Sequence, residues 1–214
     1  MRAADRPRIG VCDYGVGNLR SVERALVEGG ASPLLSADPG RLAECAGLVL
    51  PGVGAFAVAA RAVRERGIDT LVADMVGRGR PVLGVCLGFQ LLFDASDEGG
   101  GARGLGVLPG RVRRLDANRG KVPHMGWSRM TMSRPSRLLD GVAGGEFVYF
   151  VHSYAAVPDD AADVVATAEY GGDVVAAVER GAVFGTQFHP EKSGPAGLRV
   201  YANFVAGCAA PVRV

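Results

Sequence analysis

Pro81-Val-Leu-Gly-Val-Cys-Leu-Gly-Phe-Gln90 is the stretch on which the fold turns. The apolar run from Pro81 to Cys86 reads as a buried strand, and Leu87 to Phe93 reads as a helix. Gly84 and Gly88 flank Cys86, where the strand runs directly into the helix. Glycine on both sides permits the sharp strand-to-helix turn of a nucleophile elbow. That turn exposes the side chain and sets its sulfur at a helix N-terminus, where backbone N–H dipoles favour an anion. A buried Cys packed as a small hydrophobe in a Gly-rich turn fits the same letters.

Working outward, the first half alternates short apolar runs with helical patterns. Arg8–Asp13, Ser32–Leu35 and Gly47–Pro51 read as strands. Asn18 is placed to cap a helix running to Glu28, with Leu19, Val22, Ala25 and Leu26 on one face and Gly29-Gly30 ending it. Asp38-Pro39 is a cap followed by a first-turn proline. Ala55–Arg66, closed by Gly67, and Thr70–Arg78 are further helices. Continuous apolar strands between helices predict a parallel sheet covered on both faces.

After Asp94 the pattern becomes strand-like. Gly99-Gly-Gly101 is a flexible loop. Strands are expected at Arg111–Leu115, Lys121–Met132, Phe147–Tyr154, Val164–Tyr170, Val174–Glu179 and Ala182–Phe188. Gly171-Gly172-Asp173 fits a hairpin turn. A last helix spans Pro195–Ala206 and ends at Gly207. With no repeat and no linker, residues 1–214 read as one α/β domain with a mostly parallel central sheet and a β-rich second half.

Composition narrows the classes. The 214 residues are 48% hydrophobic and 21% charged, and 32 Gly with 12 Pro stay below the level of a disordered chain. A net charge of +2 gives no footing for nucleic acid or an anionic membrane. The longest uncharged stretch, Cys45–Ala60, is interrupted by Pro51, Gly52 and Gly54 and is too short for a membrane span. Met1–Arg8 has no apolar export segment. Cys12, Cys45, Cys86 and Cys208 show no CxxC spacing, so they read as reduced cytoplasmic thiols, with Cys12, Cys45 and Cys208 structural. The clusters Arg61/Arg64/Arg66 and Arg111/Arg113/Arg114 read as solvated faces.

A thiol nucleophile needs a base. In His189-Pro-Glu191, Pro190 biases His189 toward an extended conformation. Residues i and i+2 of an extended segment point the same way, so Glu191 can hold the His189 tautomer. A surface His beside a solvated Glu is the other reading of these three residues. An oxyanion needs donors. The Leu87 N–H follows the nucleophile, and Gly52, Val53 and Gly54 end a neighbouring strand whose glycines let backbone N–H groups approach closely.

These residues carry a resemblance. Gly84-Val-Cys-Leu-Gly-Phe-Gln90 with His189-Pro-Glu191 is similar to the class I, triad-type glutamine amidotransferases, whose sheet is flavodoxin-like. Five further blocks, in order along nearly the whole chain, resemble the glutaminase subunits of imidazole glycerol phosphate synthases. They are Asp13-Tyr-Gly-Val-Gly-Asn-Leu-Arg-Ser21, Pro51-Gly-Val-Gly-Ala-Phe56, Lys121-Val-Pro-His-Met-Gly-Trp127, Tyr149-Phe-Val-His-Ser-Tyr154 and Gly185-Thr-Gln-Phe-His-Pro-Glu-Lys-Ser193.

The resemblance implies hydrolysis of glutamine to glutamate and ammonia by Cys86, His189 and Glu191, with no metal or organic cofactor. It implies a heterodimer with a (β/α)₈ cyclase subunit, which uses the ammonia in a step of histidine biosynthesis. Gln90, His152, Ser153 and Tyr154 become candidate glutamine ligands. Asn18, Trp127, Tyr149 and Lys192 become candidate contacts to the cyclase. Each has a plainer alternative: Gln90 satisfying nearby backbone, His152 a core histidine, Asn18 a helix cap, Trp127 and Tyr149 packing residues, Lys192 a solvated charge. Ser128 stands where the family usually has Asn, and Ala155 where a bulkier residue is common. Competing assignments are the glutaminase of an anthranilate or pyridoxal phosphate synthase, another cysteine hydrolase sharing only the elbow, and a non-catalytic binding subunit. Of 24 basic residues only Lys121 and Lys192 are lysines, and both fall inside the blocks.

Overall fold

The computed structural model describes residues 6–209, so most of the stretch Met1–Arg8, read above for an export signal, lies outside it. In chain order the elements are β1 (Arg8–Cys12), α1 (Leu19–Glu28), β2 (Ser32–Ser36), α2 (Pro39–Leu42), β3 (Gly47–Gly52), α3 (Phe56–Glu65), α4 (Ile68–Gly77), β4 (Val82–Cys86) and α5 (Leu87–Leu91). Then follow β5 (Phe93–Ser96), β6 (Ala102–Arg103), β7 (Leu108–Arg114), β8 (His124–Met132), β9 (Phe147–His152), β10 (Tyr154–Pro158), β11 (Val164–Glu169), β12 (Asp173–Arg180), β13 (Val183–Thr186) and α6 (Gly194–Ala209).

Nine strands form the central sheet in the order β2-β1-β3-β4-β13-β12-β11-β8-β9. The β2-β1-β3-β4-β13 half is parallel and the remainder antiparallel. Strands β3, β4 and β13 are wholly buried, and β3 and β4 are among those read as continuous apolar runs. One face packs on α1 and α6 through Val22, Leu26, Tyr201 and Phe204. The other face packs on α3, α4 and α5 and on a second sheet, β10-β7-β5-β6, whose Phe93, Leu108 and Val112 enter the same core.

Several expectations are corrected. Asn18 precedes α1, but its side chain makes no capping hydrogen bond. Asp38 does cap, accepting from Gly40 N–H at 2.8 Å. The helix expected to reach Phe93 stops at Leu91, because Phe93–Ser96 pairs with β7 in the second sheet. Gly99-Gly-Gly101 is not an open loop throughout, since Glu98–Gly100 forms a 3₁₀ turn. The strand expected from Phe147 to Tyr154 is two: it breaks at Ser153, and β10 crosses to the second sheet to pair with β7. β13 ends at Thr186, short of Phe188. The last helix runs through Gly207 to Ala209, so that glycine is not its terminator. Arg61, Arg64 and Arg66 are exposed as expected, and the Arg64 guanidinium also donates to the Arg103 and Gly104 carbonyls at 2.8 Å each. Arg111 pairs with Asp97 at 2.7 Å.

The glycines beside Cys86 are needed for closeness rather than for dihedral freedom. A Cβ on Gly88 would lie 1.7 Å from the Leu50 carbonyl oxygen of β3. Strand β3 is held by β1 and β4 on its two sides and cannot retreat. Gly88→Ala is therefore expected to cost about 3 kcal/mol or more, read as a lower Tm. Gly77→Ala, where an added Cβ meets nothing within 4 Å, is the control and leaves Tm unchanged or slightly higher. Equal melting of the two variants would contradict the packing.

Candidate active site

Three parallel strands carry the site at their C-terminal ends, where α/β sheets place their ligands. Gly52 ends β3 and pairs in register with Cys86 at the end of β4, and β13 delivers the chain to Gln187 and His189. Cys86 has φ 53°, the sole positive φ on a non-glycine residue among the described residues. Such a conformation is strained and persists only where its surroundings enforce it. It is the elbow expected from the flanking glycines.

His189 is extended (φ −95°, ψ 100°), as the following proline requires. Its Nδ1 lies 2.8 Å from Glu191 Oε1, and both side chains are buried. The pairing comes from a 3₁₀ turn over Pro190–Lys192, not from an extended i, i+2 relation. The Tyr201 hydroxyl reaches the other carboxylate oxygen at 3.5 Å. Strand β9 fixes the His189 backbone: His189 N–H donates to the Tyr149 carbonyl at 2.9 Å, and Ser193 Oγ donates to the His189 carbonyl at 2.7 Å. His189 Nε2 is buried without a hydrogen-bond partner among the described residues. Burial pushes the His189 pKa down, but the neighbouring Cys86 sulfur and the Glu191 carboxylate overcome it and raise the value to about 9. The other thiols are of a different kind. Burial pushes Cys12 and Cys208 up to about 12, which leaves both protonated at neutral pH.

A cavity of about 400 Å³ opens at Cys86 and Leu87 and is walled by Val53, Gly54, Gln90 and His152–Tyr154. Gly54 has φ 107°, a conformation that favours glycine. Gly52 stays inside β3 and is not part of the wall. Gln90 Nε2 donates to the Tyr154 carbonyl at 2.8 Å and to Gln187 Oε1 at 3.0 Å. Both its N–H groups are thus committed to the protein, as the plainer reading of Gln90 had it. His152 is a buried histidine with both ring nitrogens partnered, yet it also faces the cavity.

Four contributors escaped the sequence reading. Glu98 is the sole acidic side chain lining the cavity among the described residues, and it accepts from Phe56 N–H at 3.0 Å. Nothing local marked it, since tertiary packing of a Gly-rich turn against α3 puts it there. Pro123 and Val151 complete the wall. Gln187 donates to the Cys86 sulfur at 3.8 Å. Its signal was a polar residue inside the strand expected over Ala182–Phe188, two before His189.

On the outer face of the β8–β9 pair, Trp127 sits opposite Tyr149 with ring centroids 5.9 Å apart. Lys192 Nζ stands 5.6 Å from the Tyr149 ring centroid. Trp127 is 53% exposed and Met125 61%. Of the four residues expected at a partner surface the structure brings these three together. Asn18 is exposed ahead of α1.

Residues 11–208 match the family model described as glutamine amidotransferase class-I. The chain is 50% identical over 202 residues to the imidazole glycerol phosphate synthase subunit HisH of Geobacillus kaustophilus, covering 92% of this chain and 95% of that one. It is 51% identical to the HisH subunit of Geobacillus thermodenitrificans, covering 92% and 94%. The fold matches PurLQS from Thermotoga maritima with a TM-score of 0.75 over 94% of this chain and 99% of that one, at 23% identity. With an elbow cysteine, a buried His–Glu pair and a shared cavity on the ends of its parallel strands, this chain belongs to the class-I glutamine amidotransferase family, in the group of the HisH subunits.

Proposed function

We infer that this chain hydrolyses glutamine to glutamate and ammonia as the glutaminase subunit of an imidazole glycerol phosphate synthase, with Cys86, His189 and Glu191 as its triad. One observation carries the triad: a buried imidazole holds one nitrogen on a carboxylate and leaves the other unpartnered beside the elbow thiol. In a structural histidine both nitrogens would be satisfied.

The Cys86 sulfur attacks the side-chain carboxamide carbon after His189 accepts the thiol proton. The carbonyl oxygen becomes an oxyanion, for which Leu87 N–H and the Val53–Gly54 backbone are the nearby donors. His189 returns the proton to the leaving nitrogen, and ammonia departs from a glutamyl thioester. Water, deprotonated by His189, then hydrolyses the thioester to glutamate and restores the thiol. Glu191 orients His189 throughout. No step needs a group beyond these side chains, the backbone and water. Glu98 is suited to the substrate's ammonium and Gln90 to its polar end, with His152–Tyr154 as the opposite wall.

Ammonia is consumed elsewhere, and the family's division of labour assigns that to a cyclase subunit. The aromatic and apolar stripe of Trp127, Tyr149 and Met125, with Lys192 beside it, supports that face as the docking surface. Asn18 is assigned to the same interface on the resemblance alone. Among the described residues no helix is long and apolar enough to cross a membrane, and we place the reaction in the cytoplasm.

Ammonia release from glutamine tests the reading. Cys86→Ala is expected to lower kcat by at least about a thousandfold. Adding the cyclase subunit with its nucleotide substrate is expected to raise the wild-type rate severalfold. Retained turnover in Cys86→Ala would refute the mechanism, and equal rates with and without the cyclase would refute the coupling. The raised pKa of His189 also links to stability. The protonated form gains Cys86 and Glu191 as partners on folding, so its contribution is whole below the ordinary value of 6.5 and disappears as pH rises through about 9. Tm is expected to fall over that window, and Glu191→Gln to shift the fall to lower pH. A Tm indifferent to pH between those values would show that His189 is not held protonated.

A further inference from the structure

Two of the three histidines take no part in the triad, and they touch. His124 Nδ1 lies 3.0 Å from His152 Nε2, while His124 Nε2 lies 2.8 Å from Ser128 Oγ. His152 Nδ1 lies 2.8 Å from the Tyr154 carbonyl, which also accepts from Gln90. Both rings are buried. Phe150 and Tyr170 stack on His124 at 4.5 and 3.8 Å between centroids, which fixes the plane of its ring.

Donor and acceptor parity orders these contacts. A carbonyl only accepts, so His152 Nδ1 carries a proton. Burial pushes the pKa of both His124 and His152 down to about 4, so each is neutral at neutral pH and carries one proton. His152 Nε2 is therefore an acceptor, and His124 Nδ1 must donate to it. His124 Nε2 is then an acceptor in turn, and the Ser128 hydroxyl donates. The direction of every bond from Ser128 to the Tyr154 carbonyl is determined. Beyond that carbonyl, Gln90 and Gln187 continue to the Cys86 sulfur.

We propose that His124 is a positioning residue of the glutamine site, transmitting hydrogen-bond direction from the Ser128 hydroxyl on β8 through His152 to the Tyr154 carbonyl in the cavity wall. It rests on the glutaminase reading of that cavity. Ser128 neighbours exposed Trp127 on the same strand, with its side chain on the opposite face. The directed chain of bonds thus starts on the inner face of β8, one residue along the strand from the exposed stripe, and ends in the wall of the substrate cavity.

Imidazole ¹⁵N spectra of the full chain, combined with glutaminase kinetics in the presence of the cyclase subunit, test the proposal. The wild type is expected to show His124 and His152 as neutral Nδ1–H tautomers at neutral pH. Ser128→Ala leaves His124 Nε2 buried without a donor. Its His124 signal is expected to become that of mixed tautomers, and KM for glutamine to rise about fivefold with kcat changed less than about twofold. Ser128→Asn supplies an amide N–H and is expected to restore both tautomer and KM. An Nε2–H tautomer of either histidine in the wild type would overturn the proposal, as would an unchanged KM in Ser128→Ala. A wild type without glutaminase activity would refute the functional reading instead, and the tautomer spectra would still decide the direction of the chain.

Discussion

The site depends on one close approach: the backbone of the elbow helix lies against the Leu50 carbonyl of β3, with no room for a single methyl group on Gly88. That contact brings the ends of β3 and β4 together over the sulfur. It places the backbone that can stabilise an oxyanion beside the atom that would generate one. The same device recurs at the His189–Glu191 pair. A Cβ on Gly197 of α6 would lie 1.8 Å from the Pro190 carbonyl oxygen, so the helix packs directly on the turn that joins His189 to Glu191. Two backbone-to-backbone contacts thus set the distance between Cys86 and His189, the proposed nucleophile and base, without relying on flexible side chains.

Burial alone does not decide the charge of a group here; partners do. All three histidines are nearly inaccessible to water. Desolvation wins at His124 and His152, whose partners are a hydroxyl, a carbonyl and each other. At His189 desolvation loses, because an anionic carboxylate and the reactive sulfur lie on either side. Neutral imidazoles suit a wall that must bind without exchanging protons. A protonated one suits a group that must hand a proton to a leaving nitrogen.

Much of the parallel half was legible because its signals are local. Continuous apolar runs, the Asp38 cap and the Gly29 and Gly67 stops are each read within a few residues. The Cys86 elbow and the His189–Glu191 pair were legible for the same reason. Boundaries failed where tertiary pairing overrode local pattern. Phe93 reads as the end of a helix until β7 captures Phe93–Ser96 as a strand, and the run from Phe147 to Tyr154 looks like one strand until β10 changes sheets at Ser153. Gln90 and His152 were found as residues, but their hydrogen bonds depend on Tyr154 and Gln187 arriving from other elements. Glu98 could not be found at all, since nothing near it in sequence marks the cavity it enters.

Trp127 has a practical consequence. It is the chain's single tryptophan, and it stands half in water on the outer face of β8, beside Tyr149 and away from the buried core. Red-edge excitation selects indole over the five tyrosines, so the intrinsic emission of this protein reports on one face and almost nothing else. The molecule carries its own optical label at the surface where company is expected, and a blue shift there would register a neighbour's arrival without any dye.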